Sequence, residues 1–275
     1  MTKRQAKSHR ISTKGPLTGR CNICGDDGPL TDDHTPPKSC SSIKSLEVRG
    51  LHDKLSAGGE ESQQPRHFQA GVSFRSLCER CNGLLGSQYD PALADFCLKV
   101  RSLANGTLHL RDVISIEIQP QAVMRSVLGH MAAQGADRYL KGPITESLRN
   151  YILDATSPLP GPIRIYYWLY PFRRQVLVRD AVRLNIGNRV IVSIWLMKFF
   201  PLAFLATLDE PSERQFHANN LDTFRDSSNE QLQTISLRLR PVVHPNWPEA
   251  PDDSAVILYG PQALAADPRT RIHRT

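Results

Sequence analysis

Four of the six cysteines occur as two Cys-x-x-Cys pairs, Cys21/Cys24 and Cys78/Cys81. Four thiolates satisfy a tetrahedral zinc ion and leave no coordination position open for chemistry, which is the pattern of a structural site. A single pair would also fit a redox dithiol, but two pairs in one region favour metal binding. The spacing therefore predicts a structural zinc ion held by these four residues.

Residues suited to acid–base or metal chemistry lie beside both cysteine pairs. Asp33-His34, followed by two prolines, comes after the first pair, and Asn82 comes directly after the second. A neutral imidazole, with an unperturbed pKa of about 6.5, suits a general base. Carboxylate and amide oxygens suit a hard cation such as Mg²⁺ better than zinc. A closed zinc site would bring the two segments together.

This order of motifs resembles the HNH endonuclease family, in the branch whose four cysteines bind zinc. The matching block covers residues 20–96 and ends in a glycine-containing segment that leads to Asp90. The resemblance implies a zinc-stabilised ββα-metal domain of treble-clef-like form that hydrolyses DNA, with double-stranded DNA as the expected partner. It also implies that His34 is the general base and that Asp33 and Asn82 bind a catalytic Mg²⁺ or Mn²⁺. Bacterial proteins of this family are associated with restriction and phage defence.

The segment before the second cysteine pair departs from the family pattern. The family places an Asn or His there to orient the base, whereas this chain has Val-Ser-Phe-Arg-Ser-Leu over residues 72–77. Ser73 stands at about the expected position and is the candidate for orienting His34. Asp90 is either an outer carboxylate of the metal site or a helix cap, and Pro91 at a first helical position favours the cap.

Other polar residues near these motifs have simpler interpretations. Asp32 and Asp33 would point to opposite faces of a strand, so they do not form a metal pair. His52 and His67 have no partner at ligand spacing and are predicted to be loop residues. Three basic side chains suit phosphate contacts and solvated positions equally well: Lys38, Arg75 and Arg80.

The chain divides into three predicted parts. Residues 1–20 carry six basic residues and no acidic one, which predicts a flexible arm suited either to phosphate contacts or to solubility. Residues 21–104 form the predicted nuclease domain. Residues 105–275 form a mixed α/β, strand-rich second domain that is expected to provide substrate recognition, homodimer formation or a regulatory contact. The predicted fold class of the whole chain is α+β.

Apolar periodicity predicts the elements of the first domain. It indicates a strand over residues 72–77 and a helix over 91–103, with Cys97 on the buried helix face. The polar, glycine-containing stretch 56–66 predicts a loop between the two cysteine pairs.

The second domain has helical and strand patterns in alternation. Helices are predicted at 122–139 and 145–153, and His130 in the first of them is interpreted as a packed core histidine. A hairpin is predicted from 163–170 and 175–179, with Tyr166 and Trp168 on one face and Tyr167 on the other. Further strands are expected over three stretches: 108–118, 190–196 and 202–208.

Composition narrows the class of protein. The chain has 275 residues, 40% of them hydrophobic and 22% charged, which excludes wholesale disorder. The basic N-terminus lacks the apolar segment of a secretory signal, and the longest apolar run is interrupted by Lys198 and Pro201, so a cytoplasmic protein without a membrane partner is expected. The net charge of +7 agrees with a polyanionic partner such as DNA.

Two other classes of function compete with the nuclease. In the first, a catalytically degenerate module uses its zinc knuckles only to bind nucleic acid or protein, and the missing Asn or His favours it. In the second, the zinc thiolates form a redox switch. Metal-dependent cleavage that His34→Ala abolishes while zinc is retained would separate the nuclease from both.

Overall fold

The computed structural model describes residues 11–41, 43, 45–51, 65–69, 71–105, 112–139, 141–187, 189–207, 216, 218–239 and 255–269. Residues 1–10, His52 and most of the loop expected over 56–66 lie outside these ranges.

The strands are distributed along the whole described chain. In chain order they are β1 (Thr18–Arg20), β2 (Asp27–Pro29), β3 (Thr31–His34), β4 (Ser45–Gly50), β5 (Arg66–Gln69), β6 (Ser73–Leu77), β7 (Val113–Ile118), β8 (Arg164–Leu169), β9 (Gln175–Asn185), β10 (Ile191–Phe199), β11 (Leu202–Thr207), β12 (Asn219–Asn220), β13 (Gln233–Arg238), β14 (Ala255–Tyr259) and β15 (Leu264–Pro268).

A continuous helix follows the second cysteine pair. It begins as α1 (Glu79–Leu84), passes through a π turn (Leu85–Tyr89) and continues as α2 (Asp90–Asn105). The helix predicted over 91–103 is confirmed, but Asp90 lies inside the continuous helix, so the prediction that it caps a helix is wrong. The π turn inserts one extra residue while the helix continues. The helix therefore has no N-terminal boundary at Asp90, where the sequence pattern predicted one.

Two more helices come from the second half of the chain. They are α3 (Pro120–Ala133) and α4 (Pro143–Leu153). Each begins with proline, whose missing N–H costs no hydrogen bond in the first turn. Every residue of α3 is buried, so this helix runs through the interior of the molecule.

A nine-stranded antiparallel sheet dominates the described part of the chain. Its strand order is β12-β8-β11-β10-β9-β15-β4-β5. The long strand β9 has room for two partners on one edge, with β15 beside Gln175–Leu177 and β14 beside residues 181–185. The α+β class and the strand-rich second half are therefore confirmed.

The predicted hairpin from residues 163–170 and 175–179 is wrong. β8 pairs with β11 and β12, whereas β9 pairs with β10. The alternation within β8 is confirmed, because Tyr167 joins one core while Tyr166 and Trp168 join the core on the opposite face. Both faces of this strand are buried, so its tyrosines have apolar partners on either side. The side-chain pattern therefore does not determine which strand pairs with β8.

The candidate motifs lie on a separate two-stranded sheet. β3 pairs antiparallel with β6, and residues of β6 also contact the N-terminal segment, where Arg75 N donates to the Thr13 carbonyl at 2.9 Å. β1 pairs with β2, and β7 with β13. Ile11 and Thr13 are buried, so the described part of the predicted flexible arm, residues 11–20, belongs to the folded structure.

One hydrophobic core crosses the predicted boundary at residues 104 and 105. It contains Leu77 and Phe96 from the first part and Val127, Tyr167 and Phe204 from the second. Strands β4 and β5, which precede the boundary, pair into the large sheet through β15. Among the described residues, no helix has the length and apolar character needed to cross a membrane.

Candidate zinc site and adjoining strand–helix site

The four cysteines predicted to bind zinc come together. Their sulfur atoms all lie within 4.8 Å of one another, and Cys24 Sγ is 3.7 Å from Cys78 Sγ. Zn–S bonds of about 2.3 Å place the sulfurs of a tetrahedral site roughly 3.8 Å apart. Cys21 and Cys81 are buried, and Cys24 and Cys78 are half-buried. The donor set and its spacing fit a structural zinc ion.

Three of the four thiols carry opposing pKa shifts. A hydrogen bond with Cys81 lowers the pKa of Cys21 to about 4, whereas burial raises that of Cys24 to about 12. The contact with Cys21, together with burial, raises the pKa of Cys81. These opposing directions follow from like charges in close contact, because one thiolate disfavours the next. A divalent cation removes that conflict and allows all four sulfurs to ionise.

The first cysteine pair is fastened to the end of α3. Asn22, between the two cysteines, is buried and donates from Nδ2 to the carbonyls of Ala132 and Gly135 at 3.2 and 2.9 Å. Ser76, just before the second pair, donates to the Ala133 carbonyl at 2.6 Å. The last carbonyl groups of a helix have no intrahelical partner. At the end of α3 these carbonyls accept hydrogen bonds from residues next to both cysteine pairs and so hold the pairs in place.

Asn82 joins α1 to the strand that carries Asp33 and His34. Its amide nitrogen donates to Thr31 Oγ1 at 2.9 Å and more weakly to the Asp32 carbonyl at 3.4 Å. No described residue donates a hydrogen bond to the amide oxygen. The segment that carries Asp33 and His34 and the segment that carries Asn82 are therefore in direct contact, as the sequence predicted.

Ser73 lies directly opposite His34 in the β3–β6 pair. Opposite residues of an antiparallel pair have Cβ atoms about 4.5–5.5 Å apart. Gly71 has a φ of +102°, and a Cβ there would lie 3.8 Å from Cδ2 of the His34 ring. The structure thus brings Ser73 beside His34, while no hydrogen bond joins their side chains among the described contacts.

The His34 imidazole is half-buried at the end of β3. Burial and the nearby Lys38 ammonium lower its pKa from 6.5, although Asp33 and Asp32 act in the opposite direction. A neutral imidazole is therefore favoured at neutral pH, with a ring nitrogen able to accept a proton.

Asp33 occupies the opposite face of β3 and is buried, with a side chain only 2% exposed. Its Oδ2 accepts hydrogen bonds from Thr35 Oγ1 at 3.2 Å and from His130 at 3.0 Å. Asp32 faces the surface and pairs with Arg75 at 3.4 Å. The prediction that adjacent Asp32 and Asp33 point to opposite faces is confirmed.

His130 links Asp33 to Asp90 across the core. Its Nδ1 lies 3.0 Å from Asp33 Oδ2 and its Nε2 lies 2.8 Å from Asp90 Oδ1. Burial opposes a charge on His130, but the two carboxylates outweigh it and raise its pKa well above 6.5. Asp90 also accepts a hydrogen bond from Ser126 at 2.7 Å. Its pKa is lowered, because His130 and Ser126 outweigh burial.

This role of His130 is not apparent from the sequence. Its burial was predicted correctly, but the interpretation as a simple packed histidine is incomplete. A buried ionisable group requires partners. The sequence offered two candidates for His130, the carboxylates Asp33 and Asp90, which lie near the two cysteine pairs. These carboxylates are 97 and 40 positions from His130 along the chain, so local sequence patterns could not pair them with it.

The remaining candidates are surface groups. Lys38 is exposed. Arg80, also exposed, pairs with Asp26 at 3.0 Å and contacts Cys24 of the zinc cluster. His67 lies on β5 and not in the predicted loop, 3.9 Å from Glu47. Cys97 is buried as predicted. No family model, curated protein or solved structure matches the chain.

Proposed function

We propose that this protein is a metal-dependent endonuclease that hydrolyses DNA phosphodiester bonds, with His34 as general base. The observation that carries the proposal is the position of His34. It ends β3, a strand that Asn82 bonds to α1 and that His130 of α3 contacts through Asp33. In this proposal β3, β6 and α1 are the two strands and the helix of a ββα-metal unit.

His34 is suited to activate water. Its lowered pKa leaves the imidazole neutral near pH 7, and its half-buried position limits its motion while leaving it accessible. A positioned base of this kind contributes about 10²–10⁴-fold to a hydrolysis rate. Ser73, opposite His34 in register, is the proposed orienting residue.

Asp33 and Asn82 are the proposed ligands of the catalytic divalent cation. Each keeps an oxygen that accepts no hydrogen bond from the described residues, Oδ1 in both cases. Mg²⁺ or Mn²⁺ prefers such oxygens, and when bound it neutralises charge on the leaving oxygen. Thr35 and His130 hold the other Asp33 oxygen and so fix the direction of the carboxylate.

The second candidate function is a zinc-stabilised module that binds DNA or protein without cutting. The burial of Asp33 favours it, because an aspartate 2% exposed is less accessible to a cation than a surface carboxylate. The absence of an Asn or His at the position of Ser73 points the same way.

Plasmid nicking tests the proposal. Wild type, His34→Ala and the surface control Asn150→Ala are compared without divalent metal and with Mg²⁺ or Mn²⁺, and zinc is quantified in every sample. We expect metal-dependent nicking by wild type and Asn150→Ala, and a loss of about 10²-fold or more in His34→Ala, at about one zinc per chain throughout.

Two outcomes would contradict the nuclease. Wild type with a full complement of zinc that nicks no plasmid with either cation would favour the binding module. Nicking that His34→Ala retains in full would show that another residue, or a contaminant, is responsible.

A further inference from the structure

A cleft of about 810 Å³ opens beside the candidate site. Its floor includes Asp32 of β3 and Ser73 of β6, the residue opposite His34. One wall is the N-terminal segment, residues 11–14, and the other is β5. The cleft therefore runs past the strand pair that carries the proposed general base.

The walls of the cleft are held in place by hydrogen bonds. Arg66 of β5 donates from Nη1 to the Ile11 carbonyl at 2.9 Å, which ties one wall to the other. Ser12 N donates to Gln262 Oε1 at 2.7 Å. Lys14 forms a parallel bridge with Arg75 of β6. These contacts fix the backbone that carries the charged groups of the cleft.

The charges that line the cleft are unbalanced. Its acidic side chain, Asp32, is already paired with Arg75 at 3.4 Å. Lys14 and Arg66 have no carboxylate partner among the described residues, and both are exposed. Two cations that face a cleft without acidic partners favour a polyanion over a neutral or cationic ligand.

The length of the cleft suits a strand better than a single anion. β5 has four residues along one wall, which extend over roughly 10–13 Å. One DNA strand rises about 3.4 Å per phosphate along the helix axis, and its phosphates lie farther apart along the winding backbone, so this wall spans about two phosphates.

We infer that the cleft between residues 11–14 and β5 binds the phosphate backbone of the DNA strand, with Lys14 and Arg66 as phosphate contacts. This inference rests on the proposed function, since the bound strand is the one that passes His34. It adds residues outside the zinc-associated motifs to the substrate site. The contacts are to phosphate and carry no sequence information.

DNA binding without cleavage tests the inference. The affinity of the full-length protein for a short labelled DNA duplex is measured by fluorescence anisotropy, without added divalent metal, between about 50 and 200 mM salt. Lys14→Ala/Arg66→Ala is compared with wild type and with Lys141→Ala/Arg238→Ala, which removes the same charge from exposed positions outside the cleft. Zinc content and circular dichroism verify the fold of each variant.

We expect the cleft variant to bind about tenfold more weakly at low salt and to lower the slope of log K against log salt by about 1.8, or 0.9 for each phosphate contact. The matched control should keep the wild-type slope. Arg66→Lys should restore most of the slope that Arg66→Ala loses, because the ion pair with phosphate needs the charge.

Three results would overturn the inference. These are an unchanged salt slope in the cleft variant, an equal loss in the matched control, and competition by polyglutamate as strong as that by DNA. Failure of the proposed function is distinct from all three: wild type that never nicks plasmid, while the cleft variant still lowers the slope, refutes hydrolysis and leaves the DNA-binding cleft standing.

Discussion

At the scale of single residues, His34 differs from an ordinary surface histidine in its electrostatic surroundings. Burial and the Lys38 ammonium disfavour the imidazolium, and the carboxylates of Asp33 and Asp32 do not fully compensate. The side chain is consequently ready to accept a proton at a pH where an exposed histidine is partly charged.

The pH dependence of plasmid nicking tests whether the His34 pKa is lowered. We expect the acid limb of kcat/KM to lie below pH 6.5, the ordinary pKa of histidine, because the His34 pKa is lowered. Lys38→Gln removes a positive neighbour and should move the limb to higher pH. The exposed control Lys141→Gln should leave it in place, and an acid limb that Lys38→Gln does not move would contradict the assigned cause.

His130 is the residue whose replacement should destabilise the fold most specifically. It lies between two carboxylates, with Asp33 2% and Asp90 14% exposed. His130→Gln leaves at least one carboxylate without its cationic partner, for which we expect a loss of about 3–5 kcal/mol in the free energy of unfolding. Urea denaturation measures it, and adding Asp33→Asn to His130→Gln should recover part of the loss. Additive effects of the two substitutions would contradict direct coupling.

The sign of the pH dependence follows from the two pKa directions. The pKa of His130 is raised above 6.5, so its contribution to stability is fully present below pH 6.5 and is lost as pH rises through the folded value. The pKa of Asp90 is lowered below 3.8, so its contribution is lost only as pH falls through that lower value. The stability difference between wild type and His130→Gln should therefore be largest near pH 5–6.5 and should narrow at alkaline pH.

At the scale of elements, the four-cysteine cluster joins α1 to the turn between β1 and β2. Cys78 and Cys81 flank the start of the helix, and Cys21 and Cys24 lie in the turn. We expect Cys81→Ser to lose the bound zinc and to lower Tm, because binding free energy of a structural metal is folding free energy. Zinc analysis and thermal denaturation check this. The control Cys97→Ala, a buried cysteine outside the cluster, should retain zinc, and zinc retained in full by Cys81→Ser would exclude the four-cysteine site.

The π turn sets how closely the helix of the first half approaches α3. A Cβ on Gly129 of α3 would lie 2.4 Å from Leu85 Cδ2 and 3.3 Å from its Cγ. Leu85 is fully buried, so its side chain has no open space to move into. The glycine in α3 is therefore needed for close packing, in spite of its low helix propensity.

A matched pair of substitutions isolates this packing. Gly129→Ala should destabilise by about 1–3 kcal/mol through overpacking. Gly83→Ala, at an exposed position of α1 where a Cβ meets nothing within 4 Å, should stabilise by up to about 1 kcal/mol. Urea unfolding of both variants checks the signs, and equal effects would show that helix propensity, not contact with Leu85, decides them.

At the scale of the whole molecule, the candidate site depends on both halves of the chain. Asn22, Ser76, Asp33 and Asp90 from the first half all bond to α3 or the turn that follows it. β4 and β5 pair into a sheet built mainly from the second half. The first half alone would expose this core surface and leave buried polar groups without partners.

A fragment of residues 11–104 should accordingly fail to fold on its own, even with zinc. We expect no cooperative thermal transition by circular dichroism and poorly dispersed amide resonances, whereas the full chain unfolds cooperatively. A fragment that binds zinc and gives a dispersed spectrum would show that the predicted domain at 21–104 is an independent unit.

Local chemistry explains which predictions succeeded. Cysteine spacing identified the four sulfur ligands, because metal coordination restricts the residue types at each position. Alternation placed Asp32 and Asp33, as well as Tyr166 and Tyr167, on opposite faces, because side chains of a strand alternate. These features need only a few neighbouring residues to be specified.

Strand pairing and long-range charge pairing needed the tertiary structure. The sequence by itself determined the four clustered cysteines, the strand bearing Asp33 and His34, and the presence of two helices in the second half, although the first of these ends at Ala133 and not at residue 139. Only the folded chain decided that β8 pairs with β11, that His130 joins Asp33 to Asp90, and that β5 and residues 11–14 form a cleft. The physical reason is that burial and alternation determine the face of a side chain, whereas its partner depends on which distant segments share the same core.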